Sequence, residues 1–377
     1  MNATESTRKT ILISGASFAG LSSAWWMSEL GHDVTVVESS PAIRTGGTAV
    51  DIRGNTVDIV RRMGLFDAIA ANRLTLRQME FRNPDDSVAR TLVIREDGQP
   101  QPEDDFEIER DVLMTLLHDA VKQRCRIVFD DSVTRLEETE AGVAATFTRQ
   151  PPRTFDLVFG CDGAHSRVRK LWFGEESLYA HDLQQYFSIS IVDGLLIERD
   201  TLQLFNVPGK AVMLNAYKDK TDIVFAFVSE QTLSYDRRDE ARQRQLVAEQ
   251  FATAGWRCPE LLAALARADN FYFDKLCQIR MPAWSRGRVV LVGDAAYCAS
   301  PAAGMGGSLA IDGAAALADA MRSAGDDHAL AFRRYDETLR PFIDQVQADA
   351  VRTGLESLVP RTWEAIRARN ERTGGDF

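Results

Sequence analysis

Hydrophobic and polar positions follow two different periods along this chain, and the change of period marks out its parts. Thr10 to Ser14 is a short apolar run of the kind that forms a buried strand. It breaks at Gly15, crosses small residues to Gly20, and continues as a helical run from Leu21 to Leu30 that Gly31 stops. Asp33 to Val37 is a second, valine-rich strand, closed by Glu38. Phe155 to Gly160 and Gly287 to Gly293 read as further strands, each followed by an aspartate and a helix start. From about Asp182 to Ser229 the pattern becomes alternating, in "QQYFSISIV", "TLQLFNV", "AVMLNAY" and "DIVFAFVSE". Alternation predicts antiparallel strands with one packed face. Leu74 to Phe81, Ser87 to Ile94 and Phe271 to Met281 also read as strands, and Asp239 to Phe251 and Pro259 to Ala266 as helices. After Asp326 the chain reads as helical, over Ala329 to Ala350 and Gly354 to Arg369, with a charged outer layer and a short loose tail at Gly374-Gly375. Buried strands alternating with helices predict an α/β domain on a parallel sheet; the alternating block predicts an antiparallel sheet inserted into it.

Charge and composition remove several function classes. The 377 residues carry a formal charge of −11, which argues against nonspecific nucleic-acid binding, since that needs basic surface. No run approaches the roughly 18 apolar residues of a membrane span. Arg8 and Lys9 precede an apolar stretch, as in a signal peptide, but Gly15, Ser17, Gly20, Ser22 and Ser23 interrupt it and no A-x-A site follows. A cytoplasmic protein is expected. The five cysteines, Cys125, Cys161, Cys258, Cys277 and Cys298, are scattered and odd in number, so free thiols in a reducing compartment are expected. No cluster has metal-ligand spacing.

Four segments carry candidate chemistry. Gly15-Ala-Ser17-Phe18-Ala19-Gly20 has the spacing of G-x-G-x-x-G, with Ser17 in the middle place. Such a turn brings backbone close to a pyrophosphate at a helix N-terminus, whose free N–H groups and dipole favour anions. Glu38 lies 18 residues past Gly20, near the ~20 at which an acidic residue accepts hydrogen bonds from a ribose. Far downstream, Gly293-Asp294 is followed by Pro301, then Gly304, Gly306 and Gly307, which open a helix of alanine, leucine and glycine. Small residues admit a flat ligand, and the helix N-terminus carries roughly half a positive charge, worth about 0.3–2 kcal/mol to a flavin anion placed there. Between these lies Cys161-Asp162-Gly163 with Ser166, Arg167 and Arg169. Arg110 starts an amphipathic helix whose Val112, Leu113, Leu116 and Leu117 face a core. Each segment also has a bland alternative: a plain strand–turn–helix, a packing helix, an Asp-Gly turn, a solvated arginine.

Together these segments, in this order and spacing, resemble the class A flavoprotein monooxygenases, the FAD-dependent aromatic-hydroxylase superfamily. Nearest is the tetracycline-inactivating and antibiotic-tailoring branch, to which "IRTGGTAVDIRGNTVDIVRRMGL" is similar. Tyr297 and Ile311-Asp312 depart from residues frequent in the family. The resemblance implies a Rossmann-like FAD-binding domain with an inserted antiparallel-sheet substrate domain and C-terminal helices. FAD would stretch from Glu38 and Ser39 at the adenosine end to Gly304 at the isoalloxazine. Asp51, Arg53 and Arg110 would contact it, with Asp162 and Gly163 nearby and Asp294 on the ribityl or pyrophosphate part. Arg44 would meet a transient NADPH, for which the chain has no second G-x-G-x-x-G. The FAD-binding domain would comprise residues 1–73, 100–173 and 281–325, the substrate domain 74–99 and 174–280, and the C-terminal helices 326–377.

The same resemblance implies hydroxylation of a hydrophobic aromatic or polyketide-like molecule by O2 through a flavin C4a-hydroperoxide. Two alternatives stay open: a flavin reductase or oxidase without oxygen insertion, and a non-catalytic flavin-binding protein. A monomer or weak dimer is expected. For the substrate, Met213, Asn215 and Tyr217 share one face of a strand, and Phe225 and Phe227 share a face of the next. These five are the expected substrate contacts, with plain core packing as the alternative. The histidines, His32, His118, His165, His181 and His328, read as structural or solvated.

Overall fold

The computed structural model describes residues 7–44, 46–96, 99 and 104–371; the Gly374-Gly375 tail lies outside them. The apolar strands that need cover on both faces assemble at the centre. A six-stranded sheet runs in the order Ser285–Arg286, Val289–Leu291, Leu157–Gly160, Thr10–Ser14, Asp33–Val37 and Arg126–Val128. All pairs are parallel except the first. Ile11 stands between Leu157 on one side and Val34 on the other. The chain therefore leaves the first strand on one side and returns on the other, which opens a crevice at the carboxyl ends of the strands. Gly15, Glu38, Cys161-Asp162 and Gly293-Asp294 all follow those ends.

The first helix spans Phe18–Glu29, starting three residues before the sequence pattern suggests. Ser17 is the cause: its Oγ accepts from the Gly20 N–H at 3.3 Å and caps the helix earlier.

The alternating block forms a seven-stranded sheet. Its order is Tyr272–Ile279, Ala180–Asp193, Lys220–Val228, Lys210–Tyr217, Thr201–Val207, Gln78–Arg82 and Val88–Val93, antiparallel but for the parallel pair Thr201–Val207 and Gln78–Arg82. Helices Glu240–Phe251 and Cys258–Arg267 cover one face through Val212, Leu214, Phe225, Phe227 and Phe251. The opposite face, with Phe81, Leu204, Ala226 and Met213, packs toward Ala302 and Leu355.

Three parts were not visible as pattern. Val133–Thr139, Gly142–Phe147 and Arg153–Phe155 make a three-stranded sheet. Helices Asn55–Arg62 and Phe66–Ala71 precede a short strand, Arg73–Leu74, which pairs with Asp105–Ile108 while Gln78–Arg82 joins the large sheet. One predicted strand is thus two. The last predicted helix is likewise broken, into Leu355–Leu358 and Trp363–Asn370, with Pro360 between them. Among the described residues, no helix is long and apolar enough to cross a membrane.

Candidate active site

The glycine turn is shaped by contacts that admit no side chain. A Cβ on Gly15, where φ is +102°, would lie 2.6 Å from the Cys161 carbonyl oxygen. One on Gly20 would overlap the Gly15 carbonyl oxygen. The first helix thereby lies hard against the turn, and the N–H groups of Phe18 and Ala19, in its first turn, have no intrahelical acceptor. Ser17, in the middle place, also donates its hydroxyl to the Cys161 carbonyl at 2.9 Å. Glu38 reaches back to the same turn. Its carboxylate accepts from Ala16 N–H and Ser40 N–H, each at 2.8 Å, and from the Ser39 hydroxyl at 3.1 Å. Arg44 stands exposed beside it, 4.0 Å away.

Arg110 completes this end. Its guanidinium sits 5.3 Å from the centre of the Phe18 ring and donates to the Gly46 carbonyl at 3.2 Å. The neighbouring Asp111 accepts from Gly46 N–H at 2.8 Å, so one helix start pins the 46–47 loop from both sides.

The other end lies directly against the first. A Cβ on Gly293 would come 2.9 Å from the Ala19 Cβ, and one on Gly307 would come 3.6 Å from the Phe18 ring. After Gly293-Asp294 the chain passes Ser300, whose φ of 82° costs a non-glycine residue about 1–3 kcal/mol. The Ser300 hydroxyl oxygen accepts from Ala302 N–H at 3.3 Å and holds the Pro301–Ala303 turn. Helix Gly306–Ala324 then begins with no side-chain cap and no acidic residue in its first turn. Gly306 faces open space. Asp51 borders this end, paired with Arg53 at 2.7 Å, and its carbonyl accepts from the Ser308 hydroxyl at 2.8 Å. Burial pushes the Asp51 and Asp294 carboxyls up.

Asp162 has a different surrounding. Its carboxylate accepts from the Ser166 hydroxyl, from Arg167 N–H at 2.8 Å and from Val168 N–H at 3.0 Å, so it caps the helix Arg167–Trp172. Gly163 beside it has φ +83° and open space around it.

The expected substrate group divides. Met213 pairs with Val224, and Val212 with Phe225, so register puts Phe225 and Phe227 on the face away from Met213. There the two phenylalanines are core: Phe225 meets Phe251 at 4.8 Å between ring centres, and Phe227 stacks on Tyr186 at 5.6 Å. Met213 and Asn215 face the nucleotide-binding layer. Asn215 lies near Glu107, whose strand Asp105–Ile108 also pairs antiparallel with Val50–Arg53, Glu107 directly opposite Asp51. Burial first, then Asp51 and Asp222, raise the Glu107 carboxyl to about 7. Tyr217 shares this face, but its hydroxyl is buried and donates to Asp222 at 2.7 Å.

Sequence reasoning read His165 as structural or solvated and named no partner for it; its ring nitrogens lie 2.9 Å from Glu176 Oε2 and 2.8 Å from Asp274 Oδ2. Asp274 also accepts from the hydroxyls of Tyr272 and Tyr235, at 3.2 and 3.1 Å. The one available signal was the spacing of Tyr272 and Asp274, two apart on one face of a strand.

Comparison with known proteins adds to this geometry. Residues 8–350 match the model of a family described as an FAD binding domain. The chain belongs to that family. The cleft fits the cofactor: the turn at Gly15 to Gly20 excludes side chains, and the helix at Gly306 presents uncapped N–H groups to open space. A flavin-dependent monooxygenase from an unknown prokaryotic organism is 33% identical over 91% of this chain and 89% of its own. An uncharacterised protein, Rv1260 of Mycobacterium tuberculosis, is 38% identical over 90% of this chain and 92% of its own. The crystal structure of the tetracycline destructase Tet(51) superposes with a TM-score of 0.85 at 29% identity, covering 97% of this chain and 95% of that one. This family member is thus an FAD-dependent oxidoreductase of the monooxygenase type.

Proposed function

We propose that this flavoprotein takes electrons from NADPH and hydroxylates a hydrophobic aromatic or polyketide-like small molecule. The supporting observation is the inserted sheet, which turns Met213 and Asn215 toward the layer that carries Asp51 and the start of helix Gly306–Ala324. The name of the tetracycline destructase Tet(51) supports a polycyclic substrate class.

FAD, when bound, supplies the two-electron redox chemistry and the activation of O2. The Gly15 to Gly20 turn and the Phe18 and Ala19 N–H groups would hold its pyrophosphate. Glu38 already accepts three hydrogen bonds, and its carboxylate, with about four lone-pair sites, can still take one from the adenosine ribose. Ser39 borders that position. Arg110, Asp51 and Arg53 would line the path between, and Asp294 would accept from ribityl hydroxyls. Asp162 acts through Gly163, since its own carboxylate serves the helix behind it. Pro301, Gly304, Gly306 and Gly307 would bring a helix N-terminus to the flavin, where its roughly half positive charge would favour negative charge on the ring. Arg44, exposed at the rim, is the contact for NADPH. The sheet would exclude water and hold the substrate against the flavin.

The test is NADPH consumption by the purified yellow protein in the presence of tetracyclines, anthraquinones and simple phenols, with labelled O2. Stimulated consumption with label in the product is expected. NADPH oxidation that never labels a product would instead make it a reductase or oxidase. A flavin that NADPH never reduces would make it a non-catalytic flavin protein.

A further inference from the structure

Tyr272 is 50% exposed at the start of its strand. It stands opposite Ile189, on the sheet face that packs toward Ala302, and its ring centre lies 5.6 Å from that of Phe187. Burial, followed by Asp274, pushes its phenol well above the usual range. Around it, Asp294 follows a strand end of the nucleotide-binding sheet, and Arg110 lies on Phe18 and donates to the Gly46 carbonyl at 3.2 Å. Asn270, two residues before Tyr272, approaches Gly46, where a Cβ would sit 4.0 Å from the asparagine Cβ.

Behind the phenol runs a chain of bonded groups. Tyr272 donates to Asp274 Oδ2 at 3.2 Å, His165 Nε2 is 2.8 Å from the same oxygen, and His165 Nδ1 is 2.9 Å from Glu176 Oε2. Glu176 is also paired with Arg169 at 3.4 Å and Arg237 at 3.5 Å. Asp274 belongs to the inserted sheet, His165 follows the Asp-Gly turn, and Glu176 opens the short helical turn Glu176–Leu178 that joins the two layers. The bridge therefore ties the sheet to the nucleotide-binding layer beside Tyr272.

We propose that Tyr272 is the inserted sheet's contact with bound FAD, and that the Glu176–His165–Asp274 bridge positions it. Only FAD binding is presupposed; the proposal stands whether or not oxygen transfer is found. Both ring nitrogens of His165 donate to carboxylates only when the imidazole is doubly protonated. Burial lowers its affinity for that proton, but Asp274 and Glu176 raise it further, and the net direction is up. Burial raises the Asp274 and Glu176 carboxyls, their bonds to His165 lower them, and the net direction is down for both. The other groups facing the bridge are Tyr272 and Tyr235 on Asp274, Arg169 and Arg237 on Glu176, and Asp294, whose carboxyl feels the His165 charge. The bridge is complete below the raised His165 value and loses one tie as pH rises through it.

The experiment uses the full-length yellow holoprotein, whose colour verifies FAD binding independently. FAD release on dilution is followed by the rise in flavin fluorescence from about pH 6 to 9, alongside the residual fluorescence of the bound flavin. Tyr272→Leu is expected to speed release about tenfold and to brighten the bound flavin. Tyr272→Phe, which keeps the ring, should do so by less, and it carries the test if the leucine variant does not fold. In the wild type, release should quicken as pH rises; His165→Gln should be fast throughout and lose that dependence. Wild-type release rates and fluorescence in Tyr272→Leu, or in Tyr272→Phe where the leucine variant does not fold, would overturn the contact. A His165→Gln variant with the wild-type pH profile would overturn the positioning role.

Discussion

Gly293 presses on Ala19: a Cβ added at 293 would lie 2.9 Å from the alanine Cβ, at a φ of +68°. The turn after one central strand and the first helix after another are thereby locked together. Gly293→Ala should cost about 1–3 kcal/mol, from steric overlap and a backbone region hostile to L side chains. Denaturant midpoints of the purified variant measure this, and a midpoint equal to wild type would contradict the packing. FAD retention should fall in parallel, because both sides of the cleft move.

Gly313 and Tyr297 form a second tight pair on the side away from the cleft. A Cβ at 313 would overlap the Tyr297 hydroxyl, which itself accepts from the Tyr335 hydroxyl at 3.1 Å. Gly313→Ala alone should destabilise by about 1–3 kcal/mol. Tyr297→Phe should cost about 1 kcal/mol by leaving Tyr335 with one partner fewer. The double variant should be more stable than the sum of the two losses predicts. Strict additivity in the double-mutant cycle would show that the two side chains do not compete for space.

Asp312 gives the fold a pH signature. Burial raises its carboxyl to about 6, against hydrogen bonds from Thr56, at 2.7 Å, and Asn55 that lower it. The folded protein therefore holds a proton that the unfolded chain releases near pH 4. This contribution to stability is complete below the unfolded value and is lost as pH rises through about 6. Asp312→Asn should remove that loss, about 1–3 kcal/mol at neutral pH. Melting curves between pH 4 and 8 would detect it; parallel wild-type and variant curves would count against it.

Met213 and Phe225 should separate function from stability. Phe225→Leu opens space between the sheet and helix Glu240–Phe251, and should cost about 1–3 kcal/mol while leaving substrate KM unchanged. Met213→Ala, on the opposite and half-buried face, should raise KM severalfold at a smaller cost in stability. The reverse pattern would mean that the substrate lies on the helix-covered face.

Much of this architecture was legible because its signals are local. A glycine that a carbonyl would otherwise strike, a serine that caps a helix and an acid at a strand end are all set by a few neighbouring residues. Gly15 to Gly20, Glu38 and Gly293-Asp294 could be read that way. His165 could not. Its partner Asp274 is 109 residues away, and nothing near an Asp-Gly turn announces a carboxylate from another sheet. The bonds that occupy the Asp162 carboxylate were out of reach for a related reason: they depend on how the following helix turns back over it.

By itself the chain determined the central strands Thr10–Ser14 and Asp33–Val37, the glycine turn between them and the existence of an alternating sheet, since these follow from periods and turn chemistry along one segment. It also determined that Phe225 and Phe227 share a side, because residues two apart in a strand must. Which side looks toward the cofactor layer was decided only by pairing register and by the helices laid over the other face. Likewise the meeting of Gly15 with Cys161 and of Gly293 with Ala19 came from strand order, a property of the assembled sheets that no single stretch contains.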